Sequence, residues 1–190
     1  MTCVGIAFKV LGTLGLWLGA FVPMYCLGFL IIPLGLSGCR KESEHLPRWL
    51  WCWDNETGIN GTLRGENPGW LRICGSDEAT RGFWRRLQWL AWRNPVSNWG
   101  RHVLACRVTQ PVVCRIGSIR VGDGPNDKAG FRYSTSGPLK YEVYWVWPWA
   151  KTRCVRFRCG WKLNGRTVGE TASFVFTLIP WKKFRGVRVD

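Results

Sequence analysis

Nine cysteines and two histidines are the side chains of this chain best suited to catalysis or metal binding, and their spacing decides what they can do. Cys3, Cys26, Cys39, Cys52, Cys74, Cys106, Cys114, Cys154 and Cys159 form no CxxC pair, and His45 and His102 add no zinc-type spacing. His102 and Cys106 would stand one helical turn apart in a continuing helix, but no third group is marked to orient the histidine as a base. The expectation is a satisfied or exposed histidine. Asp54, Asn55 and Glu56, followed by Gly58, Asn60 and Gly61, imitate a calcium loop without its alternating oxygen ligands and closing glutamate, so they read as a turn. The twelve carboxylates are scattered, and no glycine-rich phosphate loop is present. The sequence therefore predicts a non-enzymatic protein with no catalytic residue, no cofactor and no metal.

What the composition favours is contact. Twenty-seven Lys and Arg against twelve Asp and Glu give a net charge of +15, which draws in polyanions, whether nucleic acid or anionic headgroups. Fourteen tryptophans add the side chain best suited to a surface that is apolar on one side and wet on the other.

Residues 10–38 carry no charge, a run longer than the ~20 residues that cross a bilayer as a helix. Pro23, Pro33 and several glycines interrupt it, so it reads either as a kinked single span or as a hairpin that dips in and returns. Lys9 precedes the run, whereas Arg40, Lys41 and Arg48 follow it, which places the C-terminal part in the cytoplasm. Trp17, Trp49, Trp51 and Trp53 are the expected interfacial anchors. A competing reading comes from "LSGC", Leu36 to Cys39, which looks like a lipobox with Cys39 as the lipidated residue. An apolar run longer than a signal h-region, and the basic pair after Cys39, oppose it.

Downstream, "SDEATRGFWRRLQWLAWRNP" predicts one amphipathic helix, capped by Ser76 or Asp77 and stopped by Pro95. Phe83, Leu87, Leu90 and Ala91 share one side, while Arg81, Arg85, Gln88 and Trp92 turn to the other. Arg81, Arg85, Arg86, Trp89, Trp92 and Arg93 form an interfacial set suited to an anionic membrane surface; the alternative is a helix packed on the sheet that follows.

From about residue 107 the period changes to two. Val155, Phe157, Cys159, Trp161 and Leu163 share a face, and Arg156, Arg158 and Lys162 share the other; Cys154 and Cys159 fall on opposite faces. Four or five strands in a meander are expected, the middle helix covering their apolar face and the arginine face forming either a phosphate-binding ribbon or a merely solvated one. The fold class is α+β: an N-terminal transmembrane segment, then a helix on a four- or five-stranded antiparallel sheet. The expected division is 1–45, membrane segment and flank; 46–105, a Trp/Arg-rich loop and helix; and 106–190, strands forming one domain with that helix.

Three stretches in this order, "LPRWLWCWDNETG", "WRNPVSNWGRHVL" and "RFRCGWKL", resemble an uncharacterised family of small membrane-anchored proteins encoded by tailed bacteriophages. Those relatives carry Thr-Pro-Asp where Trp53, Asp54 and Asn55 stand here, and Gly-Trp-Arg where this chain has Gly160, Trp161 and Lys162. The resemblance implies a phage origin and a bacterial host membrane, and it transfers no activity. The resulting expectation is a protein of the host inner membrane whose basic cytoplasmic domain binds an acidic partner or the membrane surface. Its partners are then membrane lipids and a host or phage protein or nucleic acid. The alternatives are a virion component acting in genome delivery and a phage-encoded lipoprotein.

Overall fold

An apolar run with few competing signals folds as a helix when its backbone groups can pair only with one another, and residues 3–37 do so. In this computed structural model, which describes residues 3–55, 57–63, 67–93 and 95–186, α1 (Cys3–Ser37) is one continuous helix of 35 residues running through Pro23 and Pro33. The hairpin reading is therefore replaced by a single rod, about 52 Å long at ~1.5 Å per residue. Mean hydropathy reaches 2.0 and Lys9 is its one charge, so by length and composition it is able to cross a membrane.

The chain divides into two compact units: residues 1–17 with 104–190, and residues 18–103. These boundaries differ from those read from composition, because the first turns of α1 belong with the strands.

The sheet unit holds a two-stranded ribbon, β1 (Cys106–Arg107) with β6 (Thr171–Ala172), and a five-stranded sheet. The sheet is an antiparallel meander in the order β2 (Val113–Gly117), β3 (Gly130–Ser136), β4 (Lys140–Ala150), β5 (Arg153–Trp161), β7 (Phe174–Lys183). Its register aligns Tyr133, Val143, Cys159 and Phe176 across one face, and Arg132, Tyr144, Arg158 and Thr177 across the other. The first face is closed by Ile6 and Val10 of α1, which pack on Tyr133, Tyr141, Val143 and Cys159. Tyr141 Oη donates to the Lys9 carbonyl at 2.6 Å and also hydrogen-bonds Thr13. Trp17 completes the contact against Phe174, with ring centroids 6.3 Å apart. Within the sheet unit the helix over this face is α1.

The second face is the arginine face, where the cations surround a small apolar core and two carboxylates. Val121, Tyr144, Val146, Cys154 and Phe184 form a small core there, and the charges around it are paired. Glu142, fully buried, accepts from Arg132 Nη2 at 3.2 Å, from Arg158 at 2.6 Å and from the Asn164 backbone N–H at 2.9 Å. Arg132, 1% exposed, also donates to the carbonyls of Ile119 and Val121, each at 3.1 Å. Asp123 accepts from Tyr144 Oη at 2.8 Å and lies 3.5 Å from Arg156 and 3.7 Å from Lys182. Alternation puts Cys154 and Cys159 in these two separate cores, as their odd separation requires.

The helical unit contains a 3-10 turn (Arg48–Trp53), α2 (Pro68–Cys74), α3 (Asp77–Thr80), α4 (Phe83–Leu87), a π-helical turn (Gln88–Arg93) and α5 (Pro95–His102). The single middle helix predicted from 76 to 95 is therefore broken. Ser76 does cap its start, accepting from the Ala79 N–H at 3.1 Å, but Gly82, extended, interrupts the run, and Pro95 opens a helix instead of ending one. Within this unit, α1 meets the 3-10 turn closely at Gly35, where a Cβ would stand 2.1 Å from Leu50 Cδ1. Asn55 and Asn98, from two separate sequence motifs, join in a buried hydrogen bond of 2.8 Å, and Asn98 donates onward to the Trp53 carbonyl at 3.1 Å.

Removing one partner of a buried ion pair leaves the others uncompensated, so Glu142→Gln is expected to destabilise the protein by about 3 kcal/mol in urea unfolding. A loss under about 0.5 kcal/mol, the ordinary size of a surface substitution, would show that the arginines of this face do not depend on Glu142.

Candidate membrane and anion interface

The side chains expected at an interface separate into those that reach the surface and those the fold has taken inside. Trp49 and Trp51 are outside, at 61% and 49% exposure, Trp51 standing edge-on to His102. Trp53 is inside and donates its indole N–H to the Met24 carbonyl at 3.2 Å, so it fastens α1 instead of anchoring to a membrane. Trp17 is half-buried against the sheet.

In the interfacial set, Arg81 is held by Asp77 at 3.0 Å, one helical turn away, and Arg85 donates to Gln88 at 3.0 Å. Thr62 and Arg81 hydrogen-bond the Asp77 carboxylate and hold its pKa below the ordinary value. Arg86 and Trp89 correct the helical-wheel reading: both are buried, at 4% and 3% exposure. The π-helical turn inserts an extra residue per turn and carries Trp89, Leu90 and Ala91 inwards while Trp92 points out at 65% exposure. Arg86 donates to the Arg40 carbonyl at 2.9 Å, to the Ser43 carbonyl at 3.4 Å and to the Lys41 carbonyl, clamping the segment that follows α1. Burial lowers its pKa from the usual guanidinium value. Trp89 stacks obliquely on Trp70, centroids 5.2 Å apart. The Arg93 side chain lies outside the described structure.

Arg156 and Arg158 are half-buried and paired with Asp123 and Glu142, and Lys162 is half-buried with its backbone N–H bonded to the Ser173 carbonyl. Cys39 is a free thiol, its Sγ 3.3 Å from the Gly35 carbonyl, and burial pushes its pKa up. All nine cysteines are free. Both histidines are satisfied by one aspartate: His45 Nδ1 lies 2.9 Å from Asp54 Oδ2 and His102 Nε2 lies 3.1 Å from the Asp54 carbonyl. Among the described residues no cluster of three His, Cys, Asp or Glu side chains is arranged to hold a metal ion.

Each unit carries a large bare apolar surface; the part on α1 falls largely in the uncharged run, whereas the bare aromatic area of the sheet face was missed. In the sheet unit, Val4, Phe8, Leu11 and Leu16 of α1 are exposed, as are Phe131, Trp145, Trp147 and Leu178 on the same sheet face that Ile6 and Val10 partly cover. Trp145 and Trp147 lie with near-parallel rings, centroids 6.2 Å apart. In the helical unit, Leu18, Val22, Leu30 and Leu34 are bare, and so is Trp92 beside Phe29. Alternation along "KYEVYWVWPWAK" places Trp145 and Trp147 on one face; what the pattern lacks is where the covering helix stops.

The chain belongs to DUF7338, a family of unknown function whose profile matches residues 16–185. No curated protein and no solved structure matches it.

The buried tyrosines provide a pH test of this architecture. Burial, then the hydrogen bond to Asp123, raises the Tyr144 pKa from 10.0 to about 12, and burial raises that of Tyr141 to about 12. Between pH 10 and 12 the unfolded chain releases these protons while the folded chain keeps them, so the stability they contribute is complete below pH 10 and falls as pH climbs through 12. Ultraviolet titration of tyrosinate should show two late-ionising groups, and Tyr144→Phe should leave one. Titration of all tyrosines near 10 would contradict the burial of both rings.

Proposed function

We propose that this member of DUF7338 is a non-enzymatic, phage-encoded protein of the bacterial inner membrane, attached through α1, whose basic remainder works on the cytoplasmic side against an acidic partner or the membrane surface. The observation that carries this reading is the bare stripe of α1. A helix apolar on every side is ordinarily buried on every side or lipid-facing. In the sheet unit Ile6 and Val10 pack on protein while Val4, Phe8 and Leu11 are exposed hydrocarbon, and in the helical unit Met24, Ile32 and Leu36 are buried while Leu18, Val22, Leu30 and Leu34 are exposed.

The packing favours a helix lying in the interface over one that stands across the bilayer. Lys9 donates to Tyr133 Oη at 3.1 Å, and Thr13 is bonded to Tyr141, so a crossing helix would draw these polar contacts into hydrocarbon. An in-plane helix keeps them on the wet side while its bare stripe enters the acyl boundary. Arg40, Lys41 and Arg48 support the cytoplasmic leaflet.

The lipoprotein alternative finds less support. Cleavage before Cys39 would strip Ile6, Val10 and Thr13 from the core of the sheet unit, and export would bring the six cysteines that follow, all free here, into an oxidising compartment. A virion role remains the second reading, on the same bare stripe, with a protein assembly as its cover.

In bacteria expressing the full chain, the protein is expected in the membrane fraction, with its cysteines unreactive to an impermeant thiol reagent until lysis. Leu18→Glu with Leu30→Glu, both at exposed positions, should shift most of it to the soluble fraction with its circular dichroism unchanged. A wild-type chain that is soluble from the start would overturn the membrane reading.

A further inference from the structure

The sheet unit contains a cleft of about 470 Å³ between α1 and the edge strand β2, walled by Ile116 and Pro138 and floored by Tyr133 and Thr135. Two cations meet in it. Lys9, the only charge in α1, places Nζ 3.1 Å from Tyr133 Oη and 3.5 Å from the Pro138 carbonyl. Arg115 comes from the opposite wall because β2 is bulged there: Cys114 pairs with Ser134 and Ile116 already with Tyr133, so Arg115 is the extra residue. A bulge re-aims a side chain, and this one brings Arg115 Nε to 3.2 Å from Thr135 Oγ1, on the α1 side of the sheet. Gly117 secures the distortion, with φ at 80° and a Cβ position only 1.8 Å from the Phe131 carbonyl, where no side chain fits.

Among the described residues neither cation meets a carboxylate. The described acids of this unit are engaged elsewhere: Asp123 and Glu142 within the arginine face, Asp127 at the Gly124 N–H, and Glu170 with Arg166 and the Thr167 N–H. Two converging cations flanked by two hydroxyls suit a phosphate. The surroundings decide whose phosphate it is. Val4, Phe8 and Leu11 of α1 stand bare beside the cleft's lysine, Ile116 is 40% exposed on its wall, and the same sheet face continues into Phe131, Trp145 and Trp147. Lys151 and Lys183, both exposed, follow at the strand ends.

We propose that this cleft holds the phosphate of a phospholipid headgroup, with the open aromatic half of the sheet face lying against the acyl boundary. The proposal rests on the membrane reading above and specifies which protein surface faces the lipid.

The test is native mass spectrometry of the detergent-purified full chain titrated with phosphatidylglycerol, with diacylglycerol and inorganic phosphate in parallel. Retention of phosphatidylglycerol but not diacylglycerol is expected. Lys9→Gln with Arg115→Gln should weaken retention by about tenfold, the loss of a charge-assisted contact. The equally charge-reducing Lys151→Gln with Lys183→Gln should change it little, and thermal unfolding of both variants should match the wild type. Trp147→Ser should weaken lipid retention without affecting inorganic phosphate. Equal retention by the Lys9/Arg115 variant would overturn the site. Inorganic phosphate held with the same residue dependence, and lipid retention indifferent to Trp147→Ser, would make it a free-phosphate site and overturn the lipid assignment. A full chain that floats with phosphatidylglycerol vesicles while the cleft variant is indistinguishable refutes this inference alone. A chain that does not float refutes the membrane reading with it.

Discussion

A helix that is apolar on every side must be covered on every side, and most of this structure follows from how α1 meets half of that demand. Its packed stripe does the work that a second sheet or an amphipathic helix does in ordinary α+β domains. Ile6 and Val10 close the tyrosine-rich face of the meander, and further along the chain the 3-10 turn presses Leu50 against Gly35. Removing Val10 or Ile6 from contact would take away the part that α1 contributes to the cover of Tyr133 and Cys159. The long apolar helix is therefore also part of the core, and its exposed hydrocarbon cannot be separated from the folding of the sheet unit.

The second constraint is charge. A chain of +15 that spreads its arginines evenly would repel itself on compaction. The fold instead spends its few carboxylates on buried positions. Glu142 serves two arginines and a backbone N–H, Asp123 serves Arg156, Lys182 and Tyr144, and Arg86 directs its two Nη groups to carbonyls. Tyr144 lies between the guanidinium groups of Arg132 and Arg158, each 5.1 Å from its ring, which adds cation–π attraction to the pairing. This leaves uncompensated cations where no carboxylate is placed, on the α1 side of the sheet. The two sheet faces thus depart from a simple inside-outside pattern: on the arginine face Arg132 and Arg158 share Glu142 while Arg156 and Lys182 share Asp123, and the aromatic face carries the exposed Phe131, Trp145 and Trp147.

Much of this was legible in the residues. Alternation from 153 to 161 located β5 and separated Cys154 from Cys159, and the uncharged run predicted α1 with its apolar character. The failures are equally physical. A helical wheel assumes a regular period, and Gly82 together with the π-helical turn breaks it, so Arg86 and Trp89 were assigned to a surface they do not reach. Binary patterning also treats arginine as solvent-facing, which misreads Arg132 and Arg158 because their partner, Glu142, is distant from Arg158 in sequence and adjacent only across the register. The middle helix was assigned to the sheet because a membrane segment was not expected to double as core.

The short motifs that mark the family resemblance now have a structural cause. In the helical unit, "WDN" and "PVSNWGRH" meet through the buried amides of Asn55 and Asn98, and through Asp54, which engages His45 with its carboxylate and His102 with its carbonyl. A buried amide pair tolerates little change, since either partner alone leaves an unsatisfied donor or acceptor at a cost of about 1–3 kcal/mol. The prominence of these residues in the sequence therefore marks the joint that closes the helical unit and holds Trp53 against α1, while the surfaces open to a partner are built from less distinctive residues: leucines, valines and outward tryptophans on a face that only the fold reveals.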